Sequence, residues 1–232
     1  MRWMPMVSMA LVCSLARAQG AVPSGELAPD SPEIVAVLYR SQQQRLDAMP
    51  RAATSGERAQ KVRTSFTLLT TRLRGLPPVQ LTVIKGETVA ETLHGNHVVA
   101  NEALADLPEG ERLFVLAHEL GHVMLGHWAQ LGLLYQKWVP GAVTQAQTDA
   151  VAPQLGREGS ALAHRQEFEA DAFGLRLVRS LGLTEQDALA AFMDLGVHND
   201  TATHPATRKR VAALRSIEPD RLQAAGVMVR EP

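Results

Sequence analysis

Apolar residues recur along this chain at two different periods. Over 32–49 and 56–74 they fall every three or four positions, which predicts two helices, the second ended by Gly75 and the Pro77-Pro78 pair. Over 79–84 they alternate and are rich in β-branched side chains, the pattern of a half-buried strand. Two further short strand candidates, 87–93 and 96–101, are separated by Gly95. Residues 112–127 are then apolar almost all round. That composition predicts a helix enclosed by the domain rather than lying on its surface, with Asp106 and Glu109 flanking Pro108 at its start.

Helical spacing returns at 164–178, where Phe168, Ala172 and Leu175 share a face. It continues at 183–195, opened by the Thr184 to Asp187 capping pattern, and at 206–217, where Val211, Leu214 and Ile217 follow Pro205. Pro205 suits the first turn of that last helix. The stretch 128–159 is the least legible. It opens on Trp128 and runs through Pro140-Gly141 into a polar piece rich in Ala, Gln and Thr, so both a lid and a packed helix remain open. The elements together describe an α+β, predominantly helical fold with a small sheet ahead of the apolar helix. We expect one domain over 32–220, a lead-in over 19–31 and a tail over 221–232.

Residues 1–18 change the picture of where this domain works. Arg2, an apolar core too short to span a bilayer, and the small-x-small run Ala16-Arg17-Ala18 form a signal peptide pattern. The expected home is outside the cytoplasm, as in a bacterial periplasm. Cys13, the only cysteine, falls inside this leader, so the mature chain has no disulfide and relies on packing and metal binding. Loss of Arg2 and Arg17 takes the net charge from −1 to −3, which provides no electrostatic attraction to nucleic acid or anionic membrane. No membrane-spanning segment is expected in the mature chain.

The chemistry lies in His118-Glu119-Leu120-Gly121-His122, inside the apolar helix. Positions four apart on a helix differ by about 40° in azimuth, so His118 and His122 can grip one ion from the same face. Glu119, about 100° round from His118, can take a proton from water held there. Two histidines and a glutamate are costly in an apolar helix unless a shared partner satisfies them, and a metal is such a partner. A catalytic zinc needs a third protein donor. His127 follows Gly126, but on a continuous helix it is rotated about 140° from His122, so it reads as a helix-end residue or a neighbour of the ligands. Glu167 and Asp171 are better placed: four apart, they share a face that can offer a carboxylate to the metal and a second to the far nitrogen of a ligand histidine. The competing reading is a solvated helix salt-bridged to Arg165 and Arg176.

Three motifs in order, Ala-His-Glu-Leu-Gly-His at 117–122, Glu-Phe-Glu-Ala-Asp at 167–171 and Thr-His-Pro-Ala-Thr-Arg-Lys-Arg at 203–210, resemble the zinc metallopeptidases of the C-a-a-X prenyl protease and HtpX type. This is family forty-eight of the metallopeptidases, within the gluzincins. The resemblance implies a zincin-like fold and one Zn2+ per chain, with His118, His122 and Glu167 as ligands and Glu119 as general base. It also implies Asp171 orienting a ligand histidine, His204 near the metal as oxyanion stabiliser or resting fourth ligand, and Arg210 tying the last helix to the site. Read without the resemblance, His204 sits at the mouth of the last helix, able to point into a cleft, and the alternative is a simple helix cap. The implied activity is zinc-dependent endopeptidase action on unfolded or misassembled envelope proteins. The alternative is a latent or inactive zinc-bearing chaperone or binding protein of the same fold. The family's usual wording of the strand that faces substrate is replaced here by Glu-Thr-Val-Ala-Glu-Thr at 87–92, and His94 and His97 nearby are expected to be ordinary loop or strand residues.

Overall fold

Helix α1 (Glu33–Ala48) turns Ile34, Leu38 and Leu46 inward, and α2 (Glu57–Arg72) buries Ala59, Val62, Phe66 and Leu69 at helical spacing. Each such large side chain contributes about 1.5–3 kcal/mol of hydrophobic stabilisation. The computed structural model describes residues 31–217. The expected leader at 1–18 with Cys13, almost all of the lead-in and the tail at 221–232 lie outside the described residues.

Three strands follow: β1 (Gln80–Ile84), β2 (Ala90–Leu93) and β3 (His97–Asn101). Their order is β1-β3-β2, with β1 parallel and β2 antiparallel to the central β3. Val98, Val99 and Ala100 are all fully buried because both faces of the sheet are covered. Val99 packs with Ile84, Leu93 and Leu46 of α1 on one face, while Val98 and Ala100 join the main core on the other. Residues 50–52 cover the β1 edge through Ala52 N–H to Val83 O and Lys85 N–H to Pro50 O. β2 forms the opposite edge. It is shorter than the expected 87–93 because Asn101 donates from Nδ2 to the carbonyls of Gly86 and Thr88, holding that segment in a turn.

After a short 3₁₀ turn, the apolar helix α3 (Glu109–Met124) crosses behind β2. It stops before the 127 predicted from its apolar run. Gly126 adopts φ +65° and its N–H returns to Val123 O, a left-handed termination that glycine accepts without strain. His127 therefore begins a new helix, α4 (His127–Trp138). The ambiguous 128–159 stretch is mostly helix. Beyond α4 and a short connection, α5 (Gln145–Arg179) starts well upstream of the expected 164, initiated by the Thr144 hydroxyl accepting from Gln147 N–H. Ala and Gln are good helix formers, and here their propensity prevails over the lack of a clear apolar stripe. Thr184 and Asp187 form the expected capping box on α6 (Glu185–Asp194). The last helix, α7 (Thr207–Arg215), begins at an Ala206 cap, so Pro205 precedes the first turn rather than occupying it.

Helices α3 and α5 meet at unusually close range. A Cβ on Gly121 would sit 3.1 Å from Ala170 Cα, and one on Gly174 would sit 3.1 Å from His118 N. The two glycines let the backbones approach until residues of α5 stand directly beside the histidines of α3. This is the contact that assembles the site.

Candidate metal centre

On α3, His118 and His122 point to one side, with their Nε2 atoms 3.1 Å apart. From α5, the Glu167 carboxylate comes within 3.7 Å of His118 Nε2 and 3.4 Å of His122 Nε2. One donor atom from each of the three lies within 4.8 Å of the others. The far nitrogen of His118 identifies its tautomer. His118 Nδ1 is 2.9 Å from Asp171 Oδ1, so that nitrogen donates and Nε2 keeps its lone pair. His122 Nδ1 is 2.8 Å from His127 Nδ1, where it can do the same. Two imidazole lone pairs and a carboxylate then converge on one point, an arrangement that repels itself without a cation. This donor set fits zinc, which takes imidazole nitrogen and carboxylate oxygen.

Arg210 on α7 anchors the acidic side. It donates from Nε to Asp171 Oδ2 at 2.7 Å and from Nη2 to Asp171 Oδ1 at 2.5 Å, and its Nη1 is 3.1 Å from Glu167 Oε2. The guanidinium lies over the Phe192 ring, which in turn meets Phe114 of α3 edge to face. Burial alone would raise the pKa of both Glu167 and Asp171. The Arg210 charge, with the neighbouring histidines, outweighs it and holds both below the usual carboxylate range. Burial opposes protonation of His118, but the Asp171 hydrogen bond and the Glu167 charge carry it upward.

Glu119 is buried beside β2, where the Thr92 hydroxyl lies 2.7 Å from its Oε2 and 3.0 Å from its backbone carbonyl. His204, just ahead of α7, places Nε2 3.7 Å from Glu167 Oε1 and Nδ1 2.9 Å from Thr203 Oγ1. Burial lowers its pKa, which favours the neutral ring. His118, Glu119, His122, Glu167, Asp171, His204 and Arg210 thus surround one centre. Helical spacing puts His127 near the ligands but shows no contact for it, and gives no sign of Thr92. No spacing rule could have found Thr92, because it reaches Glu119 through strand-on-helix packing. Of the other histidines, His97 Nε2 is 2.7 Å from Thr82 Oγ1, and His94 occupies the β2–β3 turn with φ +54°.

A buried His-Glu-x-x-His helix, a carboxylate from a second helix and a small sheet on the first helix's flank define a zincin-like fold. Residues 74–218 match the model of Peptidase family M48, and the chain belongs to that family of zinc-dependent peptidases. Helices α1 and α2 lie outside the matched residues. None of the curated proteins matches. Among solved structures, the crystal structure of S. mikatae Ste24p is similar at 17% identity and a TM-score of 0.47, covering 78% of this chain. The chain spans 57% of that protein's length.

Proposed function

We propose that the protein is a zinc-dependent endopeptidase in which His118, His122 and Glu167 hold one Zn2+. The observation that carries this reading is the convergence of those three donors beside a buried Glu119, next to a strand, β2, that no further strand pairs with among the described residues. Zinc, when bound, supplies Lewis acidity that lowers the pKa of water to about 7. Glu119 takes the proton from the attacking water and passes it to the leaving amine, a task worth about 10²–10⁴ in rate. The Thr92 hydroxyl orients its carboxylate. In the tautomer where His204 Nδ1 accepts from the Thr203 hydroxyl 2.9 Å away, Nε2 carries the proton and supports the oxyanion of the peptide.

The β2 edge supports the binding half of the reading. Asn101 N–H donates to Val89 O, so Val89, Glu91 and Leu93 turn their backbone groups toward β3 and those of Ala90 and Thr92 face outward. An extended substrate can add there as a further strand. The next outward amide, His94 N–H, is already taken by Gln42 Oε1 of α1 at 2.7 Å, which closes that end of the groove. Suitable substrates are unfolded or misassembled polypeptides, whose backbones are free to pair. With the leader pattern at 1–18, they are expected to be envelope proteins met after export.

The 3.7 Å approach of His204 Nε2 to Glu167 favours one second reading, a resting or latent form in which this imidazole blocks the centre and the protein serves as a zinc-bearing binding module. Comparing the wild type with Glu119→Gln on a denatured protein substrate, with and without chelator, separates the two. The peptidase reading predicts turnover by the wild type that is lost with chelator and falls at least about 100-fold in the variant, at unchanged zinc content. Equal turnover by both proteins contradicts it. Absence of turnover in both, with one zinc bound, favours the latent form.

A further inference from the structure

The two histidines of the centre are held in different ways. Behind His118 stands a carboxylate, Asp171, locked by Arg210. Behind His122 stands another imidazole. His127 presents Nδ1 to His122 Nδ1 at 2.8 Å, with the two rings nearly perpendicular and their centroids 4.8 Å apart.

Two facing nitrogens at that distance share a single proton. His122 turns Nε2 toward His118 and Glu167, so if Nε2 is to present a lone pair there, the proton belongs on its Nδ1. His127 must then accept at Nδ1 and carry its own proton on Nε2. That Nε2 is buried and makes no aligned hydrogen bond, but Glu169 Oε2 lies 3.3 Å from it. Glu169 is half-exposed and is also 3.7 Å from Arg165, so its carboxylate has room to swing into line. The His127 backbone is fixed as well: Gly126 reverses the chain ahead of it, and Gln166 Nε2 donates to its carbonyl at 3.1 Å.

We propose that His127 and Glu169 are a positioning pair that sets the tautomer and ring plane of His122. The three acids of Glu-Phe-Glu-Ala-Asp are then divided among the histidines. Glu167 enters the centre, Asp171 holds His118, and Glu169 holds His122 through His127. Partners of this kind, one step removed from a metal, are typically worth 10–100-fold in metal affinity.

This inference rests on the zinc reading above. The test uses the full chain as wild type, His127→Phe, His127→Asn and Glu169→Gln. Zinc affinity is measured by chelator competition, and the visible spectrum is recorded after Co2+ substitution. Phe keeps a ring but removes the acceptor, while Asn places an amide oxygen near the position of Nδ1. The expected results are about 10–100-fold weaker zinc binding and an altered Co2+ spectrum for His127→Phe, with recovery toward the wild type in His127→Asn. Glu169→Gln, at a half-exposed position that does not threaten folding, should weaken zinc by a smaller factor than His127→Phe does. Wild-type affinity and spectrum in both His127→Phe and Glu169→Gln overturn the pair, as does His127→Asn binding no better than His127→Phe. A wild type that takes up no zinc overturns the metal reading itself, and this inference with it.

Discussion

Arg210 shows most clearly how single residues hold this site. Its guanidinium is buried against two carboxylates, Asp171 and Glu167, and an aromatic ring, so all three charges depend on one another. Replacing it by Met leaves Asp171 and Glu167 buried with much of their compensation removed. Arg210→Met is therefore expected to lose about 3–5 kcal/mol of stability in urea unfolding of the metal-free protein. A loss below about 1 kcal/mol would mean that solvent already reaches the acids. At this scale much of the site was legible. His118, His122, Glu167 and Asp171 are pairs four apart, and helical geometry alone puts each pair on one face. Thr92 and the His127 contact were not legible, because one depends on where a strand packs and the other on a chain reversal at Gly126.

Among the elements, the α3–α5 contact decides whether those residues meet. Gly121 faces the backbone of Ala170, three residues beyond Glu167, with no room for a methyl group. Gly121→Ala must push the helices apart by a few tenths of an ångström. The expected cost is about 1–3 kcal/mol in stability, with weaker zinc binding because Glu167 moves with α5. Unchanged zinc affinity in a destabilised protein would show that the donor geometry does not depend on this packing. The sequence pattern revealed the helices and strands but not their exact ends. Apolar periodicity persists past Met124, whereas the left-handed Gly126 ends α3, and the polar N-terminal half of α5 has helix propensity without a buried stripe.

For the molecule as a whole, stability should depend on pH through a group remote from the metal centre. Glu111, buried at the start of α3, shares a hydrogen bond with Asp194 and feels Asp187, both from α6. Burial, then these two charges, push its pKa from the usual 4.5 up to about 7. Between those values the folded protein keeps a proton that the unfolded chain has released, so stability falls as pH rises through this window. Glu111→Gln removes this contribution. The wild-type loss of stability from pH 5 to pH 7.5 should exceed that of the variant by about 1 kcal/mol, allowing for solvent screening around the exposed Asp194. Identical pH dependence in the two proteins would place the acidic proton elsewhere. At this scale the family was legible from three motifs. The position of α1, which covers one sheet face and occupies the end of the β2 edge through Gln42, was not, because the contact between them is tertiary.

The central claim is that two helices bring three side chains onto one divalent cation. The most direct test is a crystal structure of the protein grown with one equivalent of zinc, with anomalous scattering recorded at the zinc edge. The account predicts a single strong peak about 2.0–2.2 Å from His118 Nε2, His122 Nε2 and a Glu167 carboxylate oxygen. A peak held by other side chains, with Glu167 turned away from the two imidazoles, would contradict it.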